Sequence, residues 1–144
     1  MSKESDKSVE YFNNGYCWSE SVLLSVSESK GIKSKLIPKI ATGFCGGISN
    51  TDGICGAISG GVLAINMING RSNPSDLRED NKLKVQKLIK SFNNKFDSTQ
   101  CYKLTGCDLG TEKGESDYKS KNKKKLCDDL VAKATELTLD LINE

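Results

Sequence analysis

The residues best able to do chemistry in this chain are its six cysteines, at positions 17, 45, 55, 101, 107 and 127. They have no histidine to work with, because the sequence contains none. That removes Ser-His-Asp and Cys-His catalysis, mixed Cys/His zinc fingers, carboxylate–histidine metal sites and the Cys-x-x-Cys-His haem attachment. No two cysteines stand as Cys-x-x-Cys either, so neither a thioredoxin motif nor a zinc ribbon is available. What remains is metal ligation by several thiolates, thiol–disulfide exchange between two of them, or burial as inert small hydrophobes.

Position separates these options. Cys17 follows Asn14-Gly15-Tyr16, Cys55 follows Asp52-Gly53-Ile54, and Cys101 follows Asp97-Ser98-Thr99. Each reads as a helix start, where free N–H groups and the positive end of the dipole favour a thiolate over a thiol. Cys127 instead opens an apolar stripe with Leu130, Val131, Ala134, Leu137 and Leu141, and so faces the core of a C-terminal helix. Three helix starts and one core stripe can converge on a single buried site. Cys45, in Gly43-Phe44-Cys45-Gly46-Gly47, and Cys107, in Thr105-Gly106-Cys107-Asp108, fall in loops. They read as incidental, with a spare-ligand or redox-pair role left open.

The elements that must hold these residues are helical throughout. Val85, Leu88, Ile89, Phe92 and Phe96 recur at i, i+3, i+4, i+7 and i+11 and predict a helix over Lys82 to Phe96. A short helix is expected from Lys7 to Asn13, and a second from about Cys17 to Lys30, ended by Gly31. A brief helical piece opens at Pro38, and a helix capped by Thr51 or Asp52 covers about Gly53 to Asn69. Gly56, Gly60 and Ala64 make a smooth strip on that helix, which predicts close approach of another backbone or a cofactor. The connectors Gly70 to Asp80 and Asp108 to Ser120 lack strand alternation, and Gly110 to Ser120 is expected to be the mobile loop. The fold class predicted is all-α: one domain over residues 1–144, a bundle of five or six helices.

The bulk properties close off other functions. A net charge of +2 with no aromatic-interleaved basic stripe speaks against nucleic acid, and the run Lys119 to Lys125 reads as a solvated helix start. The most apolar stretch, Ile54 to Ile68, spans 15 residues, short of the roughly 20 that a membrane span needs. The first residues, Met1-Ser2-Lys3-Glu4-Ser5-Asp6-Lys7, have no apolar h-region. A reducing cytoplasm is therefore expected, where cysteines serve metals or redox chemistry rather than a disulfide framework. The glycines from Gly43 to Gly56 lack the strand and the lysine of a phosphate-binding loop.

At these residues the sequence resembles the C-GCAxxG-C-C family of redox-active proteins. The resemblance is carried by Asn14-Gly15-Tyr16-Cys17, by Gly43-Phe44-Cys45-Gly46-Gly47, by Cys55-Gly56-Ala57-Ile58-Ser59-Gly60, by Phe92 to Cys101 with Leu104-Thr105-Gly106, and by Cys127. The family's four characteristic cysteines correspond to Cys17, Cys55, Cys101 and Cys127. Cys45 stands where the family usually has glycine, and Cys107 is an addition. The family is similar to the non-haem portion of the split-Soret cytochromes, which implies an iron–sulfur cluster of the [2Fe–2S] kind on those four cysteines. Electron transfer or redox sensing with a partner protein follows as the expected function, with a homodimer and any enzymatic activity left open. Without histidine there is no Rieske-type ligation. A cluster-free thiol–disulfide protein, a four-cysteine zinc site and a plain interaction domain remain as alternatives.

Overall fold

The hydroxyl of Ser2 accepts the Ser5 backbone N–H at 3.1 Å and opens helix α1, Lys3–Asn13, in the computed structural model, which describes residues 2–144. Helix α2 (Trp18–Ser29) follows after Gly15, whose φ of +106° lets the chain turn between the two. A 3₁₀ segment (Lys39–Phe44) leads into a four-residue turn of helix, α3 (Cys45–Ile48), in which Gly46 and Gly47 both have positive φ. Then come α4 (Gly56–Asn69), α5 (Glu79–Phe96), α6 (Cys101–Thr105), α7 (Glu112–Ser120) and α8 (Lys123–Ile142). The described residues form no strand, and an isolated bridge pairs Ile54 with Gln100.

The all-α expectation holds, but the count of five or six helices does not: the described residues make eight. The additions are short pieces inside segments that read as loops. The expected mobile loop, Gly110 to Ser120, is mostly α7, which is polar apart from Tyr118 and gives no apolar stripe to read. Local chemistry builds it instead. Thr111 Oγ1 accepts the Gly114 N–H at 3.0 Å, and Glu112 and Glu115 lie in the positive first turn.

Helix α4 packs on α2, α5 and α8, while α1 lies across α2 and α8. The core is built where their stripes meet: Val22, Leu23 and Val26 of α2, Ile58 and Ile65 of α4, Leu88 and Phe92 of α5, and Leu130 and Val131 of α8. Each such side chain contributes about 1.5–3 kcal/mol on burial. The glycine strip does what its spacing predicts. A Cβ on Gly60 would lie 2.5 Å from the Ser19 carbonyl oxygen, so α2 and α4 touch backbone to backbone there. Buried Lys84 donates from Nζ to the Leu141 carbonyl at 2.5 Å and ties α5 to the end of α8. Among the described residues no helix is long and apolar enough to cross a membrane.

Candidate functional site

The site is organised by a clamp between two distant stretches of chain. The Cys55 N–H donates to the Thr99 carbonyl at 2.7 Å, and the Cys101 N–H donates to the Gly53 carbonyl at 3.1 Å. Asp52, at φ +62°, turns its carboxylate onto the same junction: Oδ1 accepts the Tyr102 N–H at 2.8 Å and Oδ2 accepts Gln100 Nε2 at 2.7 Å. The sequence predicts Asp52 or Thr51 as the cap of α4, but the structure gives that position to Cys55 and uses Asp52 to start α6. Likewise Asp97, at φ +64°, ends α5 and does not open α6, whose N-cap is Gln100. The clamp sets Cys55 and Cys101, each at a helix start, side by side.

Cys127 reaches the same place from α8. Cys55, Cys101 and Cys127 line one small pocket, together with Trp18, Leu104, Leu130 and the glycines Gly46, Gly47 and Gly56. All three cysteines are buried and free. The glycine wall is required by space. A Cβ on Gly47 would stand 2.7 Å from the Cys101 Cβ, and one on Gly56 would stand 2.9 Å from the Phe44 carbonyl oxygen.

Burial decides the protonation of these thiols. It pushes Cys55 up to about 12, against the Ala57 and Ile58 N–H groups that favour its charged form. It pushes Cys101 up to about 11, helped by Cys127 and by the negative charge of Asp52. Cys127 also rises by burial, although the Tyr118 hydroxyl and the Trp18 side chain face its sulfur as donors. The helix-start argument predicted thiolates, whereas burial outweighs the few N–H donors and favours the thiol form at all three.

Cys17 is not in the lining of that pocket. It forms a disulfide with Cys45, with a Cα–Cα distance of 5.8 Å. Cys45, which read as incidental, therefore has a partner 28 residues away. Both residues are half-buried. Glu20 completes the group: among the described residues, Cys17, Cys45 and Glu20 are the set of three whose ligand atoms lie within 4.8 Å of one another. Glu20 Oε1 accepts the Cys17 N–H at 3.0 Å and Oε2 accepts the Thr42 hydroxyl at 2.7 Å. Ser19 Oγ lies 3.1 Å from Cys45 Sγ. The signal for Glu20 was present in the sequence, as an acidic residue three positions after a helix N-cap. Trp18, next to Cys17 in the chain, lines the pocket of Cys55, Cys101 and Cys127, its ring packed on Phe12 at 5.4 Å and near Tyr118 at 6.4 Å. Cys107 belongs to neither group. It is buried with Leu109 in a small satellite core against Cys101, Trp18 and Tyr118.

The donor set fits a thiolate-bound metal or cluster. Three free thiols from three separate elements face one apolar pocket, beside a wall that carries no side chains. No curated protein and no solved structure matches the chain. A family model described as "Putative redox-active protein (C_GCAxxG_C_C)" matches residues 16–141, which takes in both sulfur groups and the clamp between them. The chain therefore belongs to the C_GCAxxG_C_C family of redox-active proteins.

Proposed function

We propose that this protein is a one-electron carrier or redox sensor in which Cys17, Cys55, Cys101 and Cys127 hold a [2Fe–2S] cluster. The observation that carries the reading is the meeting of Cys55, Cys101 and Cys127, unpaired and out of water, in one pocket. Burial keeps the three sulfurs protonated; a cationic centre would displace those protons and make each a thiolate ligand. Cys17 is the fourth ligand in this reading, released when a dithiol reductant converts the Cys17–Cys45 bond into two thiols. When bound, the cluster supplies one-electron redox chemistry. The protein's part is to exclude water with Trp18, Leu104 and Leu130, and to fix Cys55 and Cys101 through the Asp52 clamp.

The Cys17–Cys45 bond favours a second reading, in which the chain needs no metal and cycles these two residues between disulfide and dithiol. Each reduction would take two electrons and two protons from a dithiol of a partner protein. Anaerobic purification followed by iron and acid-labile sulfide analysis separates the readings. About two of each per chain is expected for the cluster. Colourless, iron-free protein made with ample iron, in which Cys17 and Cys45 exchange reversibly with a dithiol, would establish the second reading instead. Stoichiometric zinc without labile sulfide would exclude both.

A further inference from the structure

Between α2, the segment 34–40 and α4 runs an open apolar groove of about 360 Å³, walled by Leu23, Leu36, Ile37, Ile40, Leu63 and Met67. Leu36 and Ile40 leave about half of their surface in water, 54% and 50%, so this is an open surface and not a corner of the core. The segment that supplies its outer wall carries charge of one sign. From Ser29 to Thr51 there are four lysines, Lys30, Lys33, Lys35 and Lys39, and no acidic residue. All four are exposed, and α4 across the groove has no charged side chain. The ion pairs among the described residues use other lysines: Lys7, Lys87, Lys124 and Lys133. Lys30 Nζ meets the neutral Asn143 side chain, which leaves its charge uncompensated.

We propose that this groove docks an acidic amphipathic helix of a partner protein, with its apolar stripe between Leu36, Ile40 and Met67 and its carboxylates on Lys33, Lys35 and Lys39. The charge names the occupant. A concave apolar strip whose outer segment carries exposed, unpaired cations accepts side chains spaced i, i+3, i+4 and i+7, flanked by Asp or Glu. A second copy docking symmetrically through this face would set the same lysines against each other, at a cost in repulsion. A bilayer is the poorer fit, because membrane anchoring uses apolar side chains that project outward, whereas these line a hollow. The docking segment also runs straight to the outer cysteines. Ala41, next after Ile40, takes the Ser19 hydroxyl on its carbonyl at 2.7 Å, and that hydroxyl lies 3.1 Å from Cys45 Sγ. A partner seated here therefore rests on the chain that carries Cys45, whichever redox chemistry the cysteines perform.

The test uses the full chain and a fluorescein-labelled peptide of about five helical turns with a leucine stripe and glutamate flanks. A peptide with the same stripe and lysine flanks is the control. Anisotropy should show binding of the glutamate peptide, weakened about tenfold between roughly 0.05 and 0.3 M salt as contacts with the lysines are screened. The triple variant Lys33→Glu, Lys35→Glu, Lys39→Glu should lose at least about tenfold in affinity with an unchanged circular dichroism spectrum, since all three positions are exposed. Amide shifts on peptide addition should map to Leu36, Ile40 and Met67. Equal binding of the two peptides, indifference to the triple substitution, or shifts elsewhere on the molecule would overturn the proposal. So would binding to phosphatidylserine vesicles that the triple variant abolishes while the peptide does not bind. A dimer in sedimentation that Ile40→Asp dissociates, without peptide binding, would assign the groove to a second copy and equally defeat it.

Discussion

The inner and outer sulfur groups use one residue type under opposite conditions. Cys55, Cys101 and Cys127 come from three elements, lie out of water and remain free. Cys17 and Cys45 come from a helix start and a glycine-rich turn, lie half in water beside the Glu20 carboxylate, and are bonded to each other. The difference teaches that position at a helix start does not set the chemistry of a cysteine. Cys17, Cys55 and Cys101 all stand at helix starts, yet depth and neighbours send one to a disulfide and two to a buried pocket. The inner group is shielded from exchange, and the outer group is open to it.

The most forceful way to break this comparison is Cys127→Ser. If the inner pocket holds a cluster, its binding free energy adds to folding stability. Anaerobic chelation should then lower the wild-type melting temperature by on the order of 10 °C, and the variant should already lie near the chelated value. Cys17→Ser should behave like Cys127→Ser, whereas Cys45→Ser should keep the cluster's absorption. Equal sensitivity of wild type and Cys127→Ser to chelation, or none in either, would falsify the ligand role of Cys127.

Gly60→Leu attacks the joint between the two groups, since α2 carries the approach to Cys17 and α4 begins at Cys55. The new side chain has no space beside the Ser19 carbonyl, and a loss of about 3 kcal/mol is expected in urea unfolding. A neutral result would mean that the two helices do not pack through this face.

Asp52→Ala sharpens the comparison from the inner side. It should cost about 1–2 kcal/mol by leaving the Tyr102 N–H and the Gln100 amide without their acceptor. Alkylation of metal-free protein should quicken at Cys101 and stay unchanged at reduced Cys17 and Cys45. Uniform quickening at all three would show that Asp52 supports the fold generally and not the inner site.

A smaller effect follows from the raised thiols. Unfolded cysteine titrates at about 8.5, whereas Cys55 and Cys101 are held near 12 and 11 when folded. The folded state keeps protons that the unfolded chain gives up, so the stability present below about pH 8.5 is lost as pH rises towards those folded values. In metal-free protein each such thiol should contribute a fall of about 1 kcal/mol per pH unit over this window. Urea unfolding at stepped pH should give a shallower slope for Cys101→Ala than for wild type; identical slopes would contradict the burial argument. The smallest change expected is Cys107→Ser, at about 1 kcal/mol or less with the cluster's absorption intact. Loss of that absorption would move Cys107 into the site.

Much of this was legible in the sequence, because periodicity records which face of a helix is buried. The stripe through Leu88 and Phe92 and the stripe through Leu130 and Val131 gave α5 and α8, and the spacing of Gly56 and Gly60 gave a close contact without naming α2 as its partner. Legibility ended where contacts are long-range. Nothing adjacent to Asp52 shows that its carboxylate serves a helix that starts 49 residues later, with a left-handed backbone at Asp52 itself. Nothing near Cys45 shows that Cys17 stands opposite, since the approach of α2 to α4 creates that neighbourhood. The protonation of the thiols depends on depth below the surface, which local pattern does not encode. Helix α7 escaped because a polar helix stabilised by its cap has no stripe to detect.

The backbone clamp has a consequence for how quickly and how tightly the pocket can be filled. Joining Thr99 to Cys55 closes a loop of more than forty residues, and holding such a loop shut costs roughly 3 kcal/mol in chain entropy. Peptide hydrogen bonds meet that cost during folding, before any ion arrives. An incoming centre would not have to gather Cys55 and Cys101 from a fluctuating chain. It would meet these two side chains already together, so more of its bond energy would appear as affinity, and these two ligands would be engaged on the timescale of rotamer motion rather than of refolding.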